Sequence, residues 1–112
     1  MAVVSWDHGR RKTLTIAQSA QESDVLDMGS LGTRAAYRIG ILAPETLTGV
    51  ITIDVSDQPD GPFRTLQSDN VDIALSADKA TVLSPVPFAY LRFVSSLEEA
   101  AARSIIIVAH RG

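Results

Sequence analysis

The chain has 112 residues, of which 46% are hydrophobic and 21% are charged, with a net charge of −3 and no cysteine. This length predicts one domain, and the hydrophobic share excludes a largely disordered chain. The lack of cysteine excludes disulfide frameworks, thiol nucleophiles and thiolate zinc sites. The mild negative charge argues against bulk nucleic-acid binding, which usually shows as a basic face.

The start of the chain carries no targeting signal that we can identify. Its first eight residues lack the basic segment and the apolar core of a signal peptide. No apolar run approaches the roughly 20 residues that are needed to cross a bilayer. We therefore expect a protein that is synthesised in a cytoplasm and does not enter a membrane.

Residues 1–12 are predicted to form an N-terminal arm, and residues 13–112 a single folded domain. Apolar and polar residues alternate in short segments of that domain, which is typical of strands that bury one face. Residues 96–103 have a helix-forming composition but are too few for a stable helix, so we predict a loop with one helical turn. Residues 24–28 form a short extended piece, and the predicted strands are, in chain order, residues 12–17, 34–42, 49–56, 63–66, 71–75, 80–83, 88–94 and 104–110.

About eight short strands, separated by turn residues and without a long helix, predict an all-β fold. The expected architecture is an antiparallel β-sandwich of jelly-roll-like type. Residues 57–62 (DQPDGP) combine prolines with an Asp-Gly step, which predicts a hairpin between the flanking strands. On the strand 34–42, Tyr37, Ile39 and Ile41 share the face that we expect to point into the core.

Candidates for catalysis or metal binding are few. His8 lies in the arm and His110 near the C-terminus. The ends of a chain are frequently mobile, whereas a general base must be held within about 3 Å of its proton donor. No Gly-x-Ser-x-Gly motif exposes a serine nucleophile. The aspartates between residues 54 and 60 resemble the start of a calcium loop, but Thr65 stands where such a loop needs a glutamate. We therefore predict a protein that is not an enzyme and uses no cofactor or metal.

The arm holds the candidate partner-binding residues. The only tryptophan, Trp6, lies close to the basic triplet Arg10, Arg11 and Lys12. A large aromatic side chain outside the core often anchors a partner, but Trp6 could equally fold back onto its own sheet. The triplet could meet an acidic partner, although a solvated charge cluster is the more common role of such a run.

Arginines occur on three of the predicted strands, at Arg38, Arg64 and Arg92. If they share one face of a sheet, they could form a positive stripe. They could also pair with Asp54 and Asp72 on neighbouring strands. Cross-strand pairing is the more common arrangement, and it is the one that we predict.

Three segments of the chain resemble small virion proteins of tailed bacteriophages. In such proteins a strand with its hairpin is followed by an aromatic-rich strand and then by an Ala-rich loop. The resemblance covers the C-terminal two thirds of the chain. The matching segments are residues 49–63 (GVITIDVSDQPDGPF), 87–95 (PFAYLRFVS) and 100–108 (AAARSIIIV).

The resemblance implies a non-enzymatic structural protein of the virion, which decorates or cements the capsid or forms the base of a head fibre. It also implies a homo-oligomer, a trimer or a dimer, with the major capsid protein or other virion subunits as partners. Trp6 and the basic triplet would then attach to an acidic capsid surface. The alternative is a β-sandwich module of a phage tail or bacterial assembly that binds a host glycan or protein receptor, with Tyr37 and Tyr90 as candidate contacts.

Overall fold

The computed structural model describes residues 10–27, 37–83 and 88–111, with the backbone alone at residues 10, 37, 38 and 109–111. These described residues form eleven strands and no helix, which confirms the predicted all-β class. The strands are β1 (Arg10–Ile16), β2 (Leu26–Asp27), β3 (Tyr37–Leu42), β4 (Ile51–Ser56), β5 (Arg64–Thr65), β6 (Gln67–Ser68), β7 (Val71–Asp72), β8 (Ala74–Leu75), β9 (Ala80–Leu83), β10 (Tyr90–Ser95) and β11 (Arg103–Arg111).

Two antiparallel sheets make up most of the fold. The four-stranded sheet has the order β1-β11-β3-β9, and the five-stranded sheet has the order β2-β10-β4-β5, with β8 also paired to β4. Strands β6 and β7 form a separate ribbon. Its turn residues Asp69 and Asn70 both have positive φ, as a tight type I′ hairpin requires.

The core lies between the two sheets and draws equally on both of them. Alternation along each strand turns one set of apolar side chains inward, and these form a single buried cluster. The four-stranded sheet contributes Leu14, Ile16, Ile39, Ile41, Leu83, Ile105 and Ile107. The five-stranded sheet contributes Leu26, Ile51, Ile53, Val55, Leu75, Leu91 and Phe93. The fold is therefore sandwich-like, as the alternation predicts.

Most of the predicted strands have an observed counterpart, and the hairpin at residues 57–62 joins β4 to the antiparallel β5. The inward orientation predicted for Tyr37, Ile39 and Ile41 is confirmed for Ile39 and Ile41, which are both buried, and the side chain of Tyr37 lies outside the described ones. The predicted strand 71–75 is divided at Ile73. Its backbone N–H donates to the Leu66 carbonyl instead of to a sheet neighbour.

Two predicted boundaries need correction. Residues 10–12 are not part of an arm, because Arg10, Arg11 and Lys12 pair with β11 as the first residues of β1. Residues 1–9 lie outside the described residues. The one helical turn predicted within 96–103 is wrong, since residues 96–102 form bends before β11 begins at Arg103. The side chain of Glu99 turns inward there and is held by donors from other parts of the chain, which favours bends over a helical turn.

Candidate functional site

The outward face of the four-stranded sheet is apolar where β11, β3 and β9 lie side by side. Ile105 and Ile107 are buried, so the alternate residues of β11 point away from the core. The outward residues of β3 and β9 whose side chains the structure describes are small or aliphatic. We name this set the apolar face, and it consists of Gly40, Leu42, Ala80, Val82, Ile106 and Val108.

Two members of the apolar face are strongly exposed, Leu42 at 46% and Val82 at 68%. Single exposed aliphatic residues are ordinary on protein surfaces. Here, however, the exposed residues lie on adjacent strands beside two further aliphatic side chains, Ile106 and Val108, which are half-buried. Contiguous apolar surfaces are common where proteins meet other macromolecules, so the apolar face is a candidate contact surface.

Strand register arranges the apolar face in two rows that cross the sheet. In the first row Ile106 pairs with Leu42, and Leu42 pairs with Ala80. In the second row Val108 pairs with Gly40, and Gly40 pairs with Val82. On β1, Thr13 continues the first row and Arg11 continues the second. Of the side chains that the structure describes in these rows, only Arg11 is charged.

The outward face of the five-stranded sheet carries a charged cluster instead. The Arg92 Nη2 atom lies 3.1 Å from Glu22 Oε2 and 3.4 Å from Asp54 Oδ2. Arg92 and Asp54 are also register partners on β10 and β4, which confirms the predicted cross-strand pairing for this one of the three arginines. The guanidinium stacks on Phe63 at 4.2 Å from the ring centroid, a favourable cation–π geometry. The two outward faces of the fold therefore differ sharply in polarity.

A buried carboxylate, Glu99, fastens one end of the fold. Its Oε1 accepts from the Thr48 N–H at 2.9 Å and from Arg103 Nε at 2.8 Å. Its Oε2 accepts from the Gly49 N–H at 2.9 Å and from the Ser95 hydroxyl at 2.6 Å. These four donors come from the loop before β4, from β10 and from β11. Glu99 therefore ties three parts of the chain together. These contacts hold residues 96–102 in bends, where the sequence predicted a helical turn.

The environment of Glu99 keeps it ionised. Burial by itself raises the pKa of the carboxyl group, but the bonds from Ser95, Thr48, Arg103 and Gly49 outweigh that effect. Together they lower the pKa from its ordinary value of 4.5 to about 2. Since each carboxylate oxygen already accepts two hydrogen bonds, the arrangement is that of a structural anchor rather than of a catalytic acid.

A groove of about 590 Å³ lies beside the β4–β5 hairpin. It combines an aromatic side chain, Phe88, with a cation, Arg64, and both are exposed. Hydroxyl and amide groups from Thr65 and Gln67 also line it. This mixture of an apolar surface with a few polar groups is common in small-ligand sites.

Of the four partner-binding residues predicted from the sequence, the structure describes the side chains of two, Arg11 and Lys12. Trp6 lies outside the described residues. Arg11 and Lys12 are exposed, but they project from opposite faces of β1, since Arg11 pairs with Val108 and Lys12 with the buried Ile107. Strand alternation therefore prevents these two cations from forming one basic patch, which the sequence alone left open.

Sequence reasoning missed both the apolar face and the Glu99 anchor. The exposed residues of the apolar face look like core residues in the sequence, and only strand register shows that they meet on one outward surface. Glu99 lies in a helix-forming run next to Glu98, and nothing in the sequence distinguishes the buried carboxylate from its exposed neighbour. The catalytic candidate His8 lies outside the described residues, and of His110 only the backbone is described.

The fold and the site define an all-β, sandwich-like protein with a charged face and an apolar face. Within the described residues, no group of three or more His, Asp or Glu side chains could hold a metal ion. The same part of the chain contains no helix long and apolar enough to cross a membrane. No protein-family model matches the sequence, and no curated protein matches it either. The resemblance to phage virion proteins therefore stays a prediction.

Proposed function

We propose that this protein is a non-enzymatic structural subunit of a tailed-phage virion, which decorates or cements the capsid through symmetric contacts between proteins. The observation that carries the proposal is the apolar face. Its residues Leu42 and Val82, on adjacent strands, are 46% and 68% exposed to solvent. Burying such a surface against another protein stabilises the contact.

The mechanism that we propose is additive burial of surface. A single copy buries too little area for a tight contact, but a symmetric assembly repeats the same contact at many positions. No bond is made or broken, so rigidity of the subunit matters more than reactivity. The Glu99 anchor supports this role, because it fixes the loops at one end of the sandwich and lowers the entropy lost on assembly.

The proposal predicts that the chain is present in particles. Phage particles would be purified on a density gradient from cultures of cells that encode this chain, and the amount of each particle protein would be measured by mass spectrometry. We expect this chain at a fixed ratio to the major capsid protein. Particles that lack it would overturn the proposal.

A surface variant makes the test specific. Val82→Lys places a charge in the apolar face. When the purified variant is added to particles from which this chain is absent, less of it should bind than of the native chain. Val71→Lys is the matched control, because Val71 is equally exposed at 66% but lies on the separate ribbon. Equal binding by both variants would show that the apolar face is not needed for attachment to the particle, whether directly or through a second copy of the chain.

A second candidate function is a ligand-binding module for a host glycan or protein receptor. The groove beside Phe88 favours it, because an exposed aromatic ring and the Arg64 cation lie in one concave surface. A glycan array with the full chain tests this function. Clear hits that are lost in a Phe88→Ala variant and kept in Val82→Lys would favour the module, whereas an array without hits would count against glycan recognition.

A further inference from the structure

We propose that the apolar face is the contact surface for a second copy of this chain, in a two-fold symmetric, face-to-face dimer. The inference rests on the proposed function and names the partner of the apolar face. The two-fold axis lies between the facing sheets, runs perpendicular to the strands, and passes between the two rows. Each row then faces the other row of the second copy.

Side-chain size supports this pairing at the centre of the sheet. The exposed Leu42 of one copy faces Gly40 of the other, so a projecting side chain meets a position that has none. A glycine inside a strand often marks a place where another chain approaches closely. A Cβ atom added at Gly40 meets nothing nearer than the Val108 carbonyl oxygen at 3.8 Å, so the chain's own packing does not require glycine there.

The same symmetry matches the residues on either side. Val82 faces the smaller Ala80 of the second copy, and Ile106 faces Val108. Two-fold contacts must be self-complementary in this way, because one surface meets itself. Facing sheets cross at about −30°, so the match is closest on the central strands β11 and β3 and weaker toward the edges.

The charged side chains in the two rows are compatible with the face-to-face dimer. Arg11 is the only charged side chain described in the two rows, and it faces Thr13 of the second copy rather than another Arg11. The cation lies on the edge strand β1, where it keeps access to water. The described side chains therefore oppose no two like charges across the contact.

The area indicates a weak dimer. The whole outward surface of the sheet, taken as four strands about 4.8 Å apart with about six residues each at about 3.4 Å per residue, is roughly 400 Å². Two such faces bury roughly 800 Å² in total, less than the roughly 1,200–2,000 Å² of stable complexes. We therefore expect association that depends on protein concentration and becomes effective when an assembly repeats it.

Sedimentation equilibrium of the full chain tests the inference. The average mass should rise from 12.0 kDa toward twice that value as the concentration increases through the micromolar to millimolar range. Leu42→Lys should weaken the dimer by at least about tenfold. Leu97→Lys is the control, because Leu97 is exposed at 56% outside the apolar face, and it should leave the dissociation constant within about twofold.

A pair of size variants tests the geometry itself. Gly40→Leu should weaken the dimer by at least about tenfold, because the new side chain meets Leu42 of the second copy. Adding Leu42→Ala to that variant should recover most of the lost affinity, since a large residue again faces a small one. Thermal unfolding of each variant checks that the monomer stays folded. A Gly40→Leu variant that is folded and dimerises normally would overturn the inference.

The outcomes separate this inference from the proposed function. A chain that stays at 12.0 kDa at all concentrations but is found in particles at a fixed ratio overturns the dimer and leaves the virion role standing. A chain that dimerises with the expected variant pattern but is absent from particles supports the dimer and overturns the virion role. A dimer that is unaffected by Leu42→Lys and Gly40→Leu forms through another surface, which also overturns the inference.

Discussion

Glu99 and Arg103 form an ion pair across four residues, with 2.8 Å between Arg103 Nε and Glu99 Oε1, and the Glu99 side chain has no exposed surface. Arg103 is the first residue of β11, and its side chain is 14% exposed. The pair therefore joins the loop between β10 and β11 to β11, one of the two central strands of the four-stranded sheet. A buried carboxylate is stable only with such a set of partners, because its desolvation is costly.

Replacing Glu99 with glutamine should destabilise the fold. Glu99→Gln keeps the shape of the side chain, but its amide group turns two N–H donors toward donors from the surrounding loops, and it leaves Arg103 without a counter-charge. We expect the free energy of unfolding to fall by about 3 kcal/mol, as measured by urea denaturation. The control is Glu98→Gln at the exposed neighbouring position, and an equal loss in both variants would contradict the anchor role.

Acid should weaken the protein in a defined pH range. The pKa of Glu99 is about 2 in the folded protein and 4.5 ordinarily, so the unfolded chain takes up a proton at a higher pH than the folded one. The stabilisation is therefore complete above pH 4.5 and is lost as the pH falls toward 2, by about 3 kcal/mol.

Urea denaturation across that range measures the pH dependence. Other carboxyl groups titrate there as well, so the comparison with Glu99→Gln isolates this one. The variant should lose less stability than the native chain between pH 5 and pH 2. A loss of the same size in both proteins would show that Glu99 does not cause the acid sensitivity.

Gly49 should not tolerate a side chain. An added Cβ atom would lie 2.7 Å from the Leu97 backbone nitrogen and even closer to the Ser95 hydroxyl that holds Glu99. Gly49→Ala should therefore lower the free energy of unfolding by about 2 kcal/mol. Gly40→Ala is the matched control, because its Cβ has ordinary space, and thermal unfolding should show it unchanged or slightly more stable.

The two carboxylates beside Arg92 should contribute unequally. The side chain of Asp54 is 13% exposed and also accepts a hydrogen bond from the Thr65 hydroxyl at 3.2 Å, whereas Glu22 is 55% exposed. Exposed ion pairs are weakened by solvent, so Glu22→Ala should cost at most about 0.5 kcal/mol. Asp54→Ala should cost about 1–2 kcal/mol in the same denaturation experiment. The reverse order would mean that burial does not control this cluster.

Much of the fold could be predicted because β-strands have a period of two. Alternation placed Ile39 and Ile41 on one face, and the structure buries both. The hairpin at 57–62 could be predicted from its turn residues, since proline and an Asp-Gly step favour a reversal. The ribbon of β6 and β7 was missed, because Asp69 and Asn70 form its turn without the glycine that usually signals such a hairpin.

Most of the candidate site could not be predicted from the sequence. The pairing of Arg92 with Asp54 was predicted as one of several possible cross-strand contacts, and the register selects it. The separation of Arg11 from Lys12 follows once β1 is known to begin at Arg10. Glu99 could not be identified, because its four donors come from residues up to 51 positions away in the chain.

By itself, the sequence determined the all-β class, the positions of most strands and the inward set of their side chains, because these depend on local alternation and turn chemistry. Only the tertiary structure decided which strands are neighbours. The order β1-β11-β3-β9 brings Ile106, Leu42 and Ala80 into one row, although they are far apart in the sequence. Long-range pairing is set by the total burial of the core rather than by any local pattern, so the apolar face exists only in the folded chain.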